Sequence, residues 1–268
     1  MDKNHESDQV KQLLVDEEIL WKDRKRYLGL PISFTVYSLD NNRLYVKRGF
    51  FNSVMSGEPI RELNDGLQSF FSSIRENEET RAAADICIVT FGGTVDIVLP
   101  FGKLARNQPF PNIQATTSLT PIGEGILTSL ELLTERKEGY KHLGIKYYQP
   151  WLVVITDGAP QGEESMENME RAIEATCSLE SEGRLVVFNI GVGHSVDFTL
   201  LQRLSKKRPE PISIQSTQFS KLFEFLGSSS SSIISGGMRE DSLYDLNGKP
   251  QGKSIALDEF FKYLGDDA

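Results

Sequence analysis

The stretch PISFTVYSL, residues 31–39, decides how the rest of the chain is interpreted. It is rich in β-branched and aromatic residues and holds no charged side chain, which is typical of a strand buried on both faces. An amphipathic helix is predicted next, at residues 59–76, where Pro59 suits the first helical position. Its apolar face comprises Ile60, Leu63, Leu67, Phe70, Phe71 and Ile74. A buried strand followed by an amphipathic helix is the repeating unit of an α/β fold.

The same alternation continues towards the C-terminus. Two apolar runs joined by Gly92 and Gly93, DICIVTFGG and TVDIVLPFG, predict a hairpin over residues 85–102. Further strands are predicted at 150–158, 184–193 and 210–216, and helices at 121–137, 166–183, 198–205 and 219–234. Continuous apolar strands that alternate with helices specify a parallel sheet covered on both faces. The sequence therefore predicts a doubly wound, Rossmann-like α/β fold, with a mostly parallel sheet and one antiparallel edge hairpin.

The chain of 268 residues is long enough for one large α/β domain with extensions. We expect the domain to cover residues 30–235. Apolar residues near helical spacing predict an N-terminal helical extension within residues 1–29. The polar, glycine-rich residues 236–268 are expected to form a C-terminal tail.

The composition argues against several functional classes. The net charge of -9 gives an acidic field that repels a phosphate backbone, so nucleic acid is not an expected partner. No apolar run approaches the ~18 residues that a membrane span needs, and the polar N-terminus does not resemble a signal peptide. The two cysteines, Cys87 and Cys177, are interpreted as small buried apolar residues rather than as a disulfide or a metal site. We expect a cytoplasmic protein that does not enter a membrane.

Polar oxygen-bearing residues follow several of the predicted strands. Asp40 comes after the first strand, Asp157 follows Thr156 at the end of another, and Thr120 lies in a loop. In open α/β sheets, ligands bind outside the carboxyl ends of the strands, where the strand order reverses. Carboxylate and hydroxyl oxygens suit hard cations such as Mg²⁺, and the absence of His and Cys from this set argues against zinc.

Several segments resemble, in order along the chain, those of one known family: MSGEPIRELNDGLQSFFSSI, ADICIVTFGGTVDIVLPF, TSLTPIGEGI, YYQPWLVVITDGAP, FNIGVG and FSKLFEFLGSSSSSI. They are similar to bacterial von Willebrand factor A (vWA) domains of the tellurite-resistance-associated TerY/YegL type, over roughly residues 30–235. The resemblance implies a metal-ion-dependent adhesion site (MIDAS). In this family the site is built from a D-x-S-x-S turn after the first strand, a threonine in a second loop and an aspartate in a third. A partner's carboxylate fills the open coordination position of the bound ion.

The resemblance assigns Thr120, in SLTPIG, to the loop threonine that contacts the metal, and Asp157, in TDGAP, to the aspartate that acts through water. The first motif departs from the family pattern. An ungapped alignment places Phe50 at the aspartate position. That alignment would also make YVKRG the central strand and bury Lys47 and Arg48, which would cost several kcal/mol each. We therefore reject it.

With PISFTVYSL as the first strand, Asp40 takes the aspartate position, Asn42 the third position of the motif, and Leu44 replaces the last serine. Residues 43–54 then form an insertion, which either covers the metal-binding edge or fills a structural gap. Because two serine ligands are missing, the site either binds metal through its remaining oxygens or has decayed.

We therefore expect a non-enzymatic adaptor module that binds another protein at the carboxyl edge of the sheet. The metal would be Mg²⁺ or Mn²⁺, held by Asp40, Asn42, Thr120 and Asp157. By resemblance, the context would be tellurite resistance or another stress response. Two alternatives stay open: a metal-dependent hydrolase or transferase that uses the same oxygens, and a scaffold with a decayed metal site. The chain lacks a G-x-S-x-G motif, which argues against the hydrolase.

Overall fold

A computed structural model of the chain describes residues 30–37, 58–105, 108–114, 121–145, 147–157, 163–193, 196–207, 210–215 and 218–234. The predicted N-terminal extension, the insertion at 43–54 and the C-terminal tail lie outside the described residues. The domain bounds proposed from the sequence therefore stay a prediction.

The described residues form six strands and six helices. The strands are β1 (Leu30–Tyr37), β2 (Ala84–Gly92), β3 (Thr94–Gly102), β4 (Trp151–Thr156), β5 (Val186–Val192) and β6 (Ile212–Ile214). The helices are α1 (Glu58–Glu76), α2 (Glu78–Ala83), α3 (Ile122–His142), α4 (Glu163–Ser181), α5 (Phe198–Arg203) and α6 (Phe219–Ile234). The strand order is β3-β2-β1-β4-β5-β6, and all neighbouring pairs are parallel except β2 and β3. The predicted doubly wound fold with one antiparallel hairpin is confirmed.

Strand β1 lies in the middle of the sheet, as the sequence predicts. It pairs with β2 on one side and with β4 on the other. Two consecutive side chains show that both of its faces are covered. Phe34 packs edge-on against Phe70 of α1, with ring centroids 5.2 Å apart, whereas the Thr35 hydroxyl lies 2.6 Å from the Ser129 hydroxyl of α3.

The helices form two layers. Helices α1, α2 and α6 pack together on the Phe34 face, and α3, α4 and α5 lie on the Thr35 face. A glycine permits close packing in each layer. A Cβ at Gly66 of α1 would lie 2.7 Å from the Phe223 ring of α6, and one at Gly123 of α3 would lie 2.3 Å from the Met169 nitrogen of α4. The predicted apolar face of α1 is confirmed, because it faces the core: Leu63, Leu67, Phe70, Phe71 and Ile74 are buried and Ile60 is partly buried.

The hairpin of β2 and β3 forms one edge of the sheet. Gly93 makes the connection at φ +80°, a conformation that favours glycine. Strand β2 is buried throughout, but Ile97 and Val98 of β3 are 47% and 37% exposed. Strand β3 is the edge strand of the described sheet.

Some helix boundaries differ from those predicted. Helix α2 is absent from the sequence prediction; it begins after Asn77, whose side chain accepts a hydrogen bond from the Thr80 amide. Helix α4 begins at Glu163 rather than at residue 166, and α3 continues to His142 rather than ending at residue 137. The end of α4 near Gly183 is confirmed, with φ +68° at that glycine. No helix among the described residues is both long and apolar enough to cross a membrane.

A buried charged cluster joins the last turns of α3 to the start of β2. Asp85 is fully buried and accepts hydrogen bonds from Arg136 and from the Tyr140 hydroxyl. The Arg136 Nη2 atom lies 2.9 Å from the carboxylate, and the Tyr140 ring stacks on Tyr147. Because both charges are paired, the cluster fixes α3 against the sheet without leaving a buried charge alone.

We expect Gly123→Ala to lower the free energy of unfolding by about 1–3 kcal/mol, because the added methyl group would overlap the α4 backbone. Gly139, on the same helix, is the matched control, since nothing lies within 4 Å of a Cβ built there. Gly139→Ala should raise stability by about 0.5–1 kcal/mol. Denaturant unfolding followed by circular dichroism measures both, and equal effects would contradict the close packing of α3 and α4.

Both cysteines are expected to resist alkylation in the native protein. They are free and buried, as predicted. Burial raises the pKa of the Cys87 thiol to about 12 and also raises the pKa of Cys177. Because the thiolate is the reactive form, iodoacetamide at about pH 8 should modify neither thiol until denaturant unfolds the chain. Mass spectrometry across a denaturant series checks this; stoichiometric labelling of Cys87 without denaturant would show that the strand is not buried.

Candidate functional site

The carboxyl ends of β1 and β4 form the point at which the strand order reverses. The chain continues from β1 to β2 on one side, whereas β4 leads to β5 and β6 on the other. Val36 pairs with Ile155, so the two strands end at the same height. The crevice outside such a reversal is the usual ligand site of an open α/β sheet.

Asp157 lies at this position. It directly follows Thr156, the last residue of β4, and is half-buried, whereas Thr156 is completely buried. All residues of β4 are buried, so a rigid strand presents the carboxylate at the edge. The sequence predicts this placement of Asp157 at the carboxyl end of a strand.

The other three predicted ligands, Asp40, Asn42 and Thr120, lie outside the described residues. Their described neighbours are Tyr37, which ends β1, and Pro121, which directly precedes α3. Across the described ranges, no three His, Cys, Asp or Glu side chains are grouped so that they could hold a metal ion. The set of four metal ligands therefore stays a prediction. Asp157 is the member of the set that the structure describes.

Helix α3 is held against β1 and β2 beside this edge. A Cβ at Gly125 would lie 3.1 Å from the Phe91 ring, and four residues later Ser129 is hydrogen-bonded to Thr35. Thr35 lies two residues before the end of β1, and Ser129 lies two turns into α3. The pair therefore joins the strand that leads to Asp40 to the helix that follows Thr120. The sequence analysis missed it because the two partners are 94 residues apart in the chain.

Two carboxylates at this edge, those of Asp197 and Asp96, accept hydrogen bonds from nearby residues. Asp197 accepts a hydrogen bond from the Leu200 amide and caps α5. Asp96, at the start of β3, accepts one from the Thr94 hydroxyl. His142 lies in the last turn of α3, at the opposite edge of the sheet, and so cannot act as a base at the crevice. His194 lies outside the described residues.

Comparison with known proteins gives a family match, a related protein and solved structures of similar fold. A family model described as "von Willebrand factor type A domain" matches residues 53–227. Inter-alpha-trypsin inhibitor heavy chain H1 of Mesocricetus auratus is 22% identical over 162 residues, which is 56% of this chain but only 16% of that protein.

Two solved structures are similar in fold. The vWF domain of the type V pili tip protein Mfa5 from Porphyromonas gingivalis superimposes with a TM-score of 0.53 at 9% identity, over 80% of this chain and 99% of that one. The PilB minor pilin from Streptococcus sanguinis gives a TM-score of 0.51 at 10% identity, over 78% of this chain and 62% of that one.

The buried hydroxyl pair beside the crevice should be energetically coupled. Thr35→Val and Ser129→Ala should each lower the free energy of unfolding by about 1–3 kcal/mol, because each leaves one buried hydroxyl unpaired. The double variant should lose less than the sum, since it leaves neither. Denaturant unfolding of the wild type, the two single variants and the double variant measures the coupling in a double-mutant cycle. Strictly additive losses would show that the hydrogen bond does not hold α3 to β1.

Proposed function

The chain belongs to the von Willebrand factor type A domain family, and on that basis we propose that it is a non-enzymatic adaptor. Domains of this family commonly mediate protein–protein interaction, with metal dependence through the MIDAS. The proposed adaptor binds its partner at the carboxyl edge of the sheet, around the crevice between β1 and β4. The position of Asp157 at the reversal of strand order is the observation that carries this proposal.

The proposed metal ligands are Asp40, Asn42, Thr120 and Asp157. Their carboxylate, amide and hydroxyl oxygens fit Mg²⁺ or Mn²⁺, which prefer oxygen ligands. Asp157 directly follows the buried strand β4, and the described residues nearest in sequence to the other three are Tyr37, which ends β1, and Pro121, which precedes α3. When bound, the ion would supply an open coordination position for a partner's carboxylate.

Three helices begin at the carboxyl edge of the sheet. Helices α1 and α4 follow the parallel strands β1 and β4, so each begins at the carboxyl edge. Helix α3 leads into β4, which starts at the amino edge, so α3 also begins at the carboxyl edge. Helix N-termini carry partial positive charge and exposed backbone N–H groups, so they attract carboxylates. Glu124 in the first turn of α3 offsets part of this charge, so the proposed contact with a partner's carboxylate depends on the bound ion.

The narrower assignment follows from the sequence resemblance alone. By likeness to the TerY/YegL type, we propose a cytoplasmic role in tellurite resistance or another stress response. Its support is the set of segments that match that type in order along the chain.

Titration calorimetry with Mn²⁺ or Mg²⁺ tests the proposed function. We expect saturable binding by the wild type and affinity lower by roughly tenfold or more for Asp157→Ala, as is usual when a group that supports a metal site is removed. Asp96→Ala is the matched control, since Asp96 is an exposed carboxylate near the same edge. It should bind as the wild type does. If neither the wild type nor Asp157→Ala shows any heat of metal binding, the proposed metal binding is wrong.

A further inference from the structure

Lys137 lies on a buried side of α3. It follows Gly123, Ile126, Leu130 and Leu133 at intervals of three or four residues, which places these residues on one side of the helix. All of them are buried, and Gly123 lies against the backbone of α4. Lys137 is itself only 5% exposed. Lysine is rarely buried unless its charge is paired, so this position calls for an explanation.

The ammonium group of Lys137 has no partner among the described residues. No described carboxylate lies within ion-pairing distance of its nitrogen, and no described group accepts a hydrogen bond from it. The two acids that act on it electrostatically are paired with other cations: Glu138 with Lys141 at 2.5 Å, and Glu182 with Arg184 at 2.8 Å. Burial, and then the positive charges of Arg184 and Lys141, lower the pKa of Lys137. A buried charge without a partner is costly, so an anion that reached it would be bound favourably.

Three cations meet at the amino edge of the sheet, where α3 and α4 both end. Lys141 lies in the last turn of α3, and Arg184 follows the turn at Gly183 that closes α4. The side chains of both are exposed and interact electrostatically with Lys137 and with Tyr147. Because Lys141 and Arg184 are each paired with an acid, the remaining positive charge of this group belongs to Lys137.

The helix ends do not account for Lys137. Helix C-termini attract cations, but the effect falls off within the last turn, and Lys137 lies more than one turn before the end of α3. The closing carbonyls of both helices are also bonded to backbone amides. The Tyr140 carbonyl accepts from the Ile145 amide at 2.8 Å. The Leu179 carbonyl accepts from the Arg184 amide, also at 2.8 Å.

We propose that Lys137, Lys141 and Arg184 form a binding site for a small phosphate-bearing anion. The Arg184 guanidinium is a planar fork that fits two phosphate oxygens, and lysine ammonium groups bind phosphate as point charges. A phosphate group has enough oxygens and charge to contact three cations at once, whereas a carboxylate has two oxygens and one charge. The site lies at the edge of the sheet opposite the proposed metal site, so it does not depend on the proposed function.

Titration of the full chain with sodium phosphate at constant ionic strength tests the site, with amide NMR signals as the measurement. We expect saturable shifts of the Gly183, Arg184 and Gly144 signals. Lys137→Met should bind phosphate roughly tenfold more weakly or worse, as the loss of a hydrogen bond to a charged group implies. Lys206→Met is the matched control, because it removes one positive charge from an exposed lysine outside the group. It should bind phosphate as the wild type does.

Thermal unfolding separates loss of the site from loss of the fold. Without phosphate, Lys137→Met should be at least as stable as the wild type, because it replaces an unpaired buried charge with an apolar side chain. Phosphate should raise the Tm of the wild type and leave that of Lys137→Met unchanged. Absence of saturable shifts in the wild type, or equal phosphate binding by Lys137→Met, would overturn the proposal.

Two further ligands define the chemistry of the anion. Acetate should bind more weakly than phosphate, and equally tight binding of acetate would overturn the assignment to phosphate. Glycerol 3-phosphate distinguishes the two sources of a phosphate group. Tighter binding of the ester assigns the site to an organic phosphate, whereas tighter binding of inorganic phosphate assigns it to the free ion.

Discussion

The burial of β1 is the constraint on which the rest of the structure depends. Both edges of this strand are hydrogen-bonded to parallel neighbours, and both faces are covered by helices. A strand in that position cannot contain unpaired charges without a large cost in free energy. It follows that the uncharged run from Pro31 can be the middle strand and that the run containing Lys47 cannot. The same position creates the crevice at the carboxyl end, because the chain leaves β1 and β4 in opposite directions along the sheet.

The local pattern of apolar and polar residues was sufficient to predict most of the fold. Continuous apolar runs identified the strands, and the helical periodicity of α1 identified its buried face. The features that were missed depend on polar residues whose partners are far away in sequence. Ser129 is bonded to Thr35, 94 residues earlier, and Asn64 to Ile113, 49 residues later. Neither partner can be recognised from nearby residues. Helix α2 was missed for a different reason: it is short, and its signal is mainly the cap at Asn77.

The candidate site was predictable only in part, for a related physical reason. Asp157 follows a buried strand directly, so its position is determined by the strand. Asp40, Asn42 and Thr120 lie outside the described residues and are predicted to belong to loops, where local sequence specifies the backbone much less strongly. The described structure shows how the elements beside these residues are held together: the Thr35–Ser129 pair joins α3 to β1, and Asn64 of α1 bonds both backbone groups of Ile113. Buried strands and packed helices beside a site are suited to holding ligand oxygens for a small ion that tolerates poor geometry badly.

The central claim is that a divalent ion binds at the carboxyl edge between β1 and β4. Paramagnetic broadening of assigned amide NMR signals by substoichiometric Mn²⁺ tests it most directly, because the broadening falls steeply with distance from the ion. The account predicts that signals of Asp157, Thr156 and Gly125 are lost first, whereas those of Asp85 and Val186, at the amino ends of their strands, keep their line widths. Broadening centred on the amino edge, or spread evenly over exposed carboxylates, would contradict the account.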